Sequence, residues 1–212
     1  MYIGVFFKRY ILGLWAAAEG IIYDMFDEEK HVRNIKDFFR LLIDGNRYVS
    51  CDYGTQNPTA FLLWSKGADG KWYCRREYYY SGRDKGRQKT DKEFSEDLTV
   101  WLAGEEIRAV ILDPAAASFK AQLEKDGYKV KKAKNDVLDG IRFVATLLLS
   151  GSIFIDQSCE NLIKEFASYI WDAKAGERGE DKPVKEHDHA LDALRYFCYT
   201  IIRRINGIKI LK

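Results

Sequence analysis

No uninterrupted apolar run in the sequence reaches the ~18 residues of a membrane-spanning helix, so no such span is expected in these residues. The basic, apolar N-terminus carries Lys8 and Arg9 inside its apolar run rather than ahead of it, which argues against a secretory signal. Cysteine is sparse: Cys51, Cys74, Cys159 and Cys198 stand singly, without a CxxC pair or a Cys–His pattern. A zinc site and a disulfide framework are therefore not expected, and the four should be buried, reduced thiols of an intracellular chain. There is no GxxxxGK[ST] phosphate loop and no GxSxG elbow, so neither nucleotide hydrolysis nor a serine hydrolase is expected of these residues. An excess of one charge is missing as well, with 34 Lys and Arg against 32 Asp and Glu. Only three prolines punctuate the chain.

What the sequence has is core material. Hydrophobic residues make up 47% and aromatic residues 14% of 212 positions, enough for one medium domain and too much for a disordered chain. The balanced charge is unevenly spread. Residues 71–92 hold eight Lys or Arg against three acids, residues 120–134 hold six against two, and residues 172–192 reverse to seven acids against four bases. Basic flanks around an acidic centre suit a phosphodiester gripped by cations and cut at a metal cluster, although ordinary solvated surface has the same look.

The patterning predicts a helix over 5–18, an extended piece over 20–26, and a second helix over 35–42 that ends in the turn signal Asp44-Gly45-Asn46. Three strands with tight links follow at 47–52, 59–65 and 71–80, an antiparallel meander. The chain then alternates: helix 91–102 capped by Thr90 or Asp91, strand 108–113, helix 116–125, strand 128–132, helix 135–149, a short strand 152–155, and helices 159–171 and 187–205 around a charged loop at 172–186. The fold class is α/β, with a mixed central sheet of three antiparallel strands and then parallel strands, flanked by helices.

Three acids stand where such a sheet can gather them. Asp52 closes the first strand of the meander and Asp113 closes the fourth strand before Pro114; as parallel neighbours, these strands would present both carboxylates at one sheet edge. Asp188 and Asp192 lie four apart at the start of the last helix, with His189 between them. Asp188 reads equally as that helix's N-cap. Asp192 interrupts an apolar face, and a buried carboxylate needs a cation. Mg²⁺ and Mn²⁺ prefer such hard oxygen ligands, and two ions ~3.5–4 Å apart can serve the attacking and leaving oxygens of a phosphodiester. Asp52 would bridge both ions, while Asp113 and Asp192 would each hold one. His189 could orient the water, protonate the leaving oxygen or ligate a metal.

The segments VSCDYGTQNPTAFLLW (49–64), AVILDPAAASF (109–119) and HDHALDALRYF (187–197) resemble the nuclease domain of the large terminase subunit of tailed double-stranded DNA bacteriophages. The resemblance runs over roughly 47–205, and its most specific part is the acid followed by DALRY. It implies an RNase H-like fold and an endonuclease dependent on two Mg²⁺ or Mn²⁺ ions, which cuts concatemeric double-stranded DNA into capsid-length genomes with little sequence specificity. The family's catalytic acids fall on Asp52, Asp113 and Asp192 and its histidine on His189. Residues 1–46, including FFKRYILGLW and EGIIYD, resemble the tail of the family's ATPase motor, which leaves 47–212 as the nuclease domain of a longer protein. Implied partners are that ATPase domain, the portal protein and the small terminase subunit. The implied place is the host cytoplasm at the procapsid portal during assembly, not the mature virion. Arg83, Lys85, Arg87 and Lys89 in the stretch 78–92 are candidate DNA contacts. Competing readings are another RNase H-like phosphodiesterase of the resolvase or transposase type, and a nonenzymatic module that docks on DNA or a portal.

Overall fold

The computed structural model describes residues 20–36, 42–55 and 57–205. A seven-stranded sheet organises them. Its strands are β1 (Val32–Arg33), β2 (Leu42–Asp52), β3 (Thr59–Gly67), β4 (Trp72–Tyr80), β5 (Val110–Leu112), β6 (Val130–Lys132) and β7 (Ile153–Asp156), in the spatial order β1-β7-β4-β3-β2-β5-β6. The meander β2–β3–β4 is antiparallel, and β5, β6, β7 and β1 add to its two sides in parallel. This is the mixed sheet expected from the sequence.

The strands form where apolar residues can be used on both faces. Nearly every residue of β3 is buried, as befits the centre of the sheet. Alternation divides its side chains between two cores. Ala60, Leu62 and Trp64 face one side, together with Ile111 of β5; Phe61 and Leu63 face the other, with Val49, Cys51, Val110 and Leu112. The second core is closed by α2 (Asp91–Leu102) and α3 (Ala117–Lys125), through Phe94, Leu98 and Phe119. Thr90 caps α2 in a full capping box with Glu93. The first core is closed by α4 (Val137–Leu149), α5 (Glu160–Ser168) and α7 (His189–Phe197). Short helices α1 (Glu28–His31) and α6 (Ala173–Glu177) flank them.

Helix α7 positions the site. Every residue from Ala190 to Phe197 is buried, and Phe197 stacks on Trp64 with ring centroids 4.4 Å apart. Trp64 in turn donates from Nε1 to the Ser50 hydroxyl at 3.0 Å, so no polar atom of that indole is wasted in the core. Beyond Phe197 the helix loosens into a π turn, Cys198–Ile202, before the single turn α8 (Arg203–Ile205).

Four details correct the sequence reading. The helix expected over 35–42 does not run to its end: Leu42 already belongs to β2, and Asp44-Gly45-Asn46 lies within that strand at a break in register between Leu42 and Arg47. A bulge, with Gly45 at φ +76°, absorbs the residues that looked like a turn. The helix expected over 159–171 stops at Ser168, and Ile170 and Trp171 instead form bridges to Ile21 and Pro183. The charged loop over 172–186 contains α6, started by Asp172, whose side chain accepts from the Ala175 amide. The final helix starts at His189 and is α-helical only to Phe197 before the π turn. The helix expected over 5–18 lies outside the described residues. All four cysteines are buried and free, as expected. Among the described residues no helix is long and apolar enough to cross a membrane.

Candidate active site

β2 and β5 are parallel neighbours, with Cys51 beside Leu112. The residues that follow, Asp52 and Asp113, therefore leave the sheet at the same edge. Gly54 lets the chain turn just past Asp52: a Cβ there would stand 2.7 Å from the Asn57 carbonyl oxygen. Opposite this edge, the start of α7 brings in Asp188, His189 and Asp192. Together these five residues line one cleft of about 1090 Å³, with Tyr53, Tyr79, Arg83 and Lys185 also on its wall.

Each acid is held differently. Asp52 Oδ2 lies 2.9 Å from His189 Nδ1. Burial raises the Asp52 pKa above the ordinary carboxylate value, against the lowering effect of that hydrogen bond, and the nearby Asp192 and Asp188 charges add to the rise. Asp113 accepts the Tyr196 hydroxyl at Oδ2 (2.7 Å) and the Ala115 amide at Oδ1 (2.7 Å). Burial drives the Tyr196 pKa upward, and the Asp52 and Asp192 charges add to that, so the phenol stays a donor.

Asp192 is 7% exposed and faces two cations. Arg195 donates to its Oδ1 from Nε (3.2 Å) and Nη2 (2.7 Å), and Lys185 Nζ lies 3.0 Å from its Oδ2. Lys185 also stands 3.1 Å from Asp188 Oδ2. Burial works against the charge of each cation, yet the Asp192 carboxylate keeps both pKa values above their ordinary levels. Asp188 occupies the N-cap position of α7, as expected, and its carbonyl accepts the Asp192 amide at 2.7 Å, but its side chain makes no cap bond and turns to Lys185 instead. The preceding His187 has φ +50°, a left-handed conformation unusual for a side-chain-bearing residue, which reverses the chain into the helix.

Beneath the cleft, Glu165 of α5 is buried and accepts the Leu191 amide at 2.9 Å and the Tyr79 hydroxyl at 3.2 Å. It satisfies a first-turn donor of α7 that Asp188 leaves alone. Burial pushes its pKa up to about 8.

All four expected site residues, Asp52, Asp113, Asp192 and His189, meet in the cleft. Of the candidate DNA contacts, Arg83 lines it, while Lys85 is exposed nearby in the same loop. Arg87 and Lys89 are already engaged, Arg87 with Glu93 and Lys89 with Asp97, and the Lys89 ammonium also sits 4.4 Å above the Tyr80 ring. Sequence reasoning missed Lys185, Arg195, Tyr196 and Glu165. Arg195 was legible in principle, three residues after Asp192 on the same helix. Among the described residues, no three His, Cys, Asp or Glu side chains lie close enough together, as they stand, to share one metal ion.

Comparison with known proteins gives a consistent picture. The profile of the Terminase RNaseH-like domain matches residues 49–199. The large terminase of a thermophilic bacteriophage superposes with a TM-score of 0.87 at 54% identity, over 95% of this chain and 50% of that one. The terminase large subunit of Escherichia phage T5 is 28% identical over 206 residues, 93% of this chain and 46% of the T5 protein. The large terminase nuclease domain of bacteriophage SPP1, solved with bound Mn, shares the fold with a TM-score of 0.59 at 18% identity, over 84% of this chain and 97% of that domain. The chain thus spans about half the length of the thermophilic-phage and T5 proteins.

Proposed function

Because the chain belongs to the Terminase RNaseH-like domain family, we propose that it is the endonuclease of a viral DNA-packaging motor, hydrolysing phosphodiester bonds of concatemeric double-stranded DNA to release capsid-length genomes. The RNase H-like fold itself is established by the family match and the superpositions. The observation that carries the activity is the gathering of Asp52, Asp113, Asp188, Asp192 and His189 in a single cleft at one sheet edge.

The donor set fits hard divalent cations: four carboxylates and one imidazole, with Oδ2 of Asp188 buried and accepting no hydrogen bond. Asp52, Asp113 and Asp192 are the residues that would hold two Mg²⁺ or Mn²⁺ ions; that the SPP1 nuclease domain was solved with bound Mn supports the use of a divalent metal. Such ions supply activation of the attacking water and stabilisation of the leaving oxygen. The chain's own residues orient and exclude. The β2–β5 register fixes the spacing of Asp52 and Asp113, and Tyr196 holds one Asp113 oxygen. His189, hydrogen-bonded to Asp52, is placed to orient water or pass a proton at the cleft wall. Arg83 on the rim adds positive charge for a phosphate backbone. Little sequence specificity is expected, because the proposed contacts are to the phosphate backbone.

The proposal extends to the whole protein. Residues 1–46 would link to a preceding ATPase domain and 47–212 would form the nuclease domain. Its partners would be the portal protein and small terminase subunit, at the procapsid in the host cytoplasm. The direct test is plasmid cleavage by the purified chain in Mn²⁺, Mg²⁺ or EDTA, beside Asp52→Asn and Asp192→Asn. Metal-dependent linearisation, lost in both folded variants, is the expected result. Cleavage that persists in both overturns the assignment, and inactivity of the wild type in every metal favours a docking module instead.

A further inference from the structure

Asp192 is gripped from two sides by cations of different character. On Oδ1 sits Arg195, 2% exposed, its planar fork spanning Nε and Nη2 while Nη1 donates to the Asn135 carbonyl at 2.9 Å. The fold makes room for this arginine by leaving Gly140 of α4 bare, since a Cβ there would lie 2.6 Å from Arg195 Cγ. An enclosed, bidentate guanidinium tied down at both ends is a permanent fixture. On Oδ2 sits Lys185, a single ammonium on a flexible stem whose side chain is 50% exposed. It reaches in from the segment between α6 and α7. The same ammonium faces Asp188 Oδ2, a buried oxygen that accepts no hydrogen bond. Lys185 thus neutralises two carboxylates while satisfying the second one poorly.

We propose that Lys185 is a placeholder cation, neutralising Asp188 and Asp192 until a divalent ion takes their Oδ2 atoms, and that Arg195 is the positioning residue that keeps Asp192 Oδ2 turned to the cleft throughout. The inference rests on the metal-site reading above. Asp188 and Asp192 are arranged around one ammonium, each with Oδ2 towards it. A doubly charged ion outcompetes that single charge, and the lysine has solvent to withdraw into. The Lys185 ammonium would then leave the two carboxylates, with Asp188 still at the N-cap of α7, whereas the guanidinium would stay in place.

Mn²⁺ titration, with free ion followed by its paramagnetic resonance signal, tests both halves without relying on cleavage. Lys185→Gln should bind Mn²⁺ roughly two- to fivefold more tightly than the unaltered chain, the size of one half-exposed ion pair. Arg195→Lys keeps the charge but loses the fork, and should bind about 10- to 100-fold more weakly, as other substitutions behind a ligand do. Asp192→Asn separates the two layers of argument. If it binds Mn²⁺ as the unaltered chain does, the metal site itself is wrong. If it loses binding while Lys185→Gln binds no more tightly than the unaltered chain, the placeholder is wrong and the site stands. Equal affinity of a folded Arg195→Lys overturns the positioning role; should that variant fail to fold, Gly140→Ala, whose methyl would push on Arg195 Cγ and Cδ, takes its place, and unchanged Mn²⁺ affinity there overturns the role.

Discussion

The cleft joins two pairs of acids that the fold treats in opposite ways. Asp52 and Asp113 sit at the ends of adjacent parallel strands, and the side chains that hold them are a histidine and a tyrosine. Asp188 and Asp192 sit at the start of a buried helix, and the side chains that hold them are a lysine and an arginine. The sheet pair is fixed by register, so a modest donor is enough to orient each carboxylate. The helix pair lies in a less forgiving place. Its element is buried along its length, and a carboxylate there needs full compensating charge. Position and electrostatics are thus divided between the two walls of one site.

The largest blow to this division should fall on the helix wall. Arg195→Gln removes the guanidinium and leaves Asp192 facing the interior with one half-exposed partner, at a cost of about 3–5 kcal/mol in folding free energy. Denaturant titration measures it, and a loss below about 1 kcal/mol would show that the pair is not an obligate unit. Next comes the bare position behind the arginine. In an exposed helix, Gly→Ala adds about 1 kcal/mol of stability. At Gly140 the new methyl would meet Arg195 Cγ and Cδ at 2.6 and 2.7 Å, and that side chain is anchored at both ends. Gly140→Ala should therefore lose about 1–3 kcal/mol. A gain instead would mean that Arg195 has room to move and that its grip on Asp192 is loose.

Glu165 tests the same wall from below through pH. Its pKa in the folded chain, raised to about 8 by burial from an ordinary 4.5, means that the folded state holds the proton more tightly than the unfolded state. The raised pKa therefore costs nothing below pH 4.5. Between pH 4.5 and about 8 the unfolded chain has lost a proton that the folded chain retains, so stability falls as pH rises through that window. Glu165→Gln should flatten this slope in melting temperature against pH. A slope unchanged by the substitution would assign it to other groups.

These particulars show what the sequence could and could not disclose. The sheet wall was legible, because strand alternation and strand-end acids are local signals, and parallel pairing of β2 with β5 is what an α/β order demands. The bulge at Asp44-Gly45-Asn46 was misread because the same residues make a turn or a bulge, and only pairing with β3 decides. On the helix wall Asp192 announced itself by interrupting an apolar face, but its partners did not. Arg195 is a spacing signal hidden in a motif that looked merely familiar. Lys185 reaches back from a charged loop with no periodicity to read. Glu165 is 26 residues away from the amide it caps, a meeting that only the packing of α5 on α7 creates. In the stretch 78–92 the charge run does not reveal which cations are already paired, as Arg87 and Lys89 are.

The smallest expected effect belongs to the sheet wall and sharpens the contrast most. Tyr196→Phe deletes one hydroxyl that donates to Asp113 Oδ2 and leaves the ring, the helix and the neighbouring Arg195 contact with the ring face in place. Asp113 is only partly buried and still accepts the Ala115 amide, so its freed oxygen can turn to water in the cleft. The loss should be about 0.5–1.5 kcal/mol, the net worth of one hydrogen bond, and several-fold smaller than for Arg195→Gln. If both substitutions cost the same, then Asp113 depends on its donor as heavily as Asp192 depends on its cation. In that case register alone does not hold the sheet carboxylates, and the two walls are built on one principle rather than two.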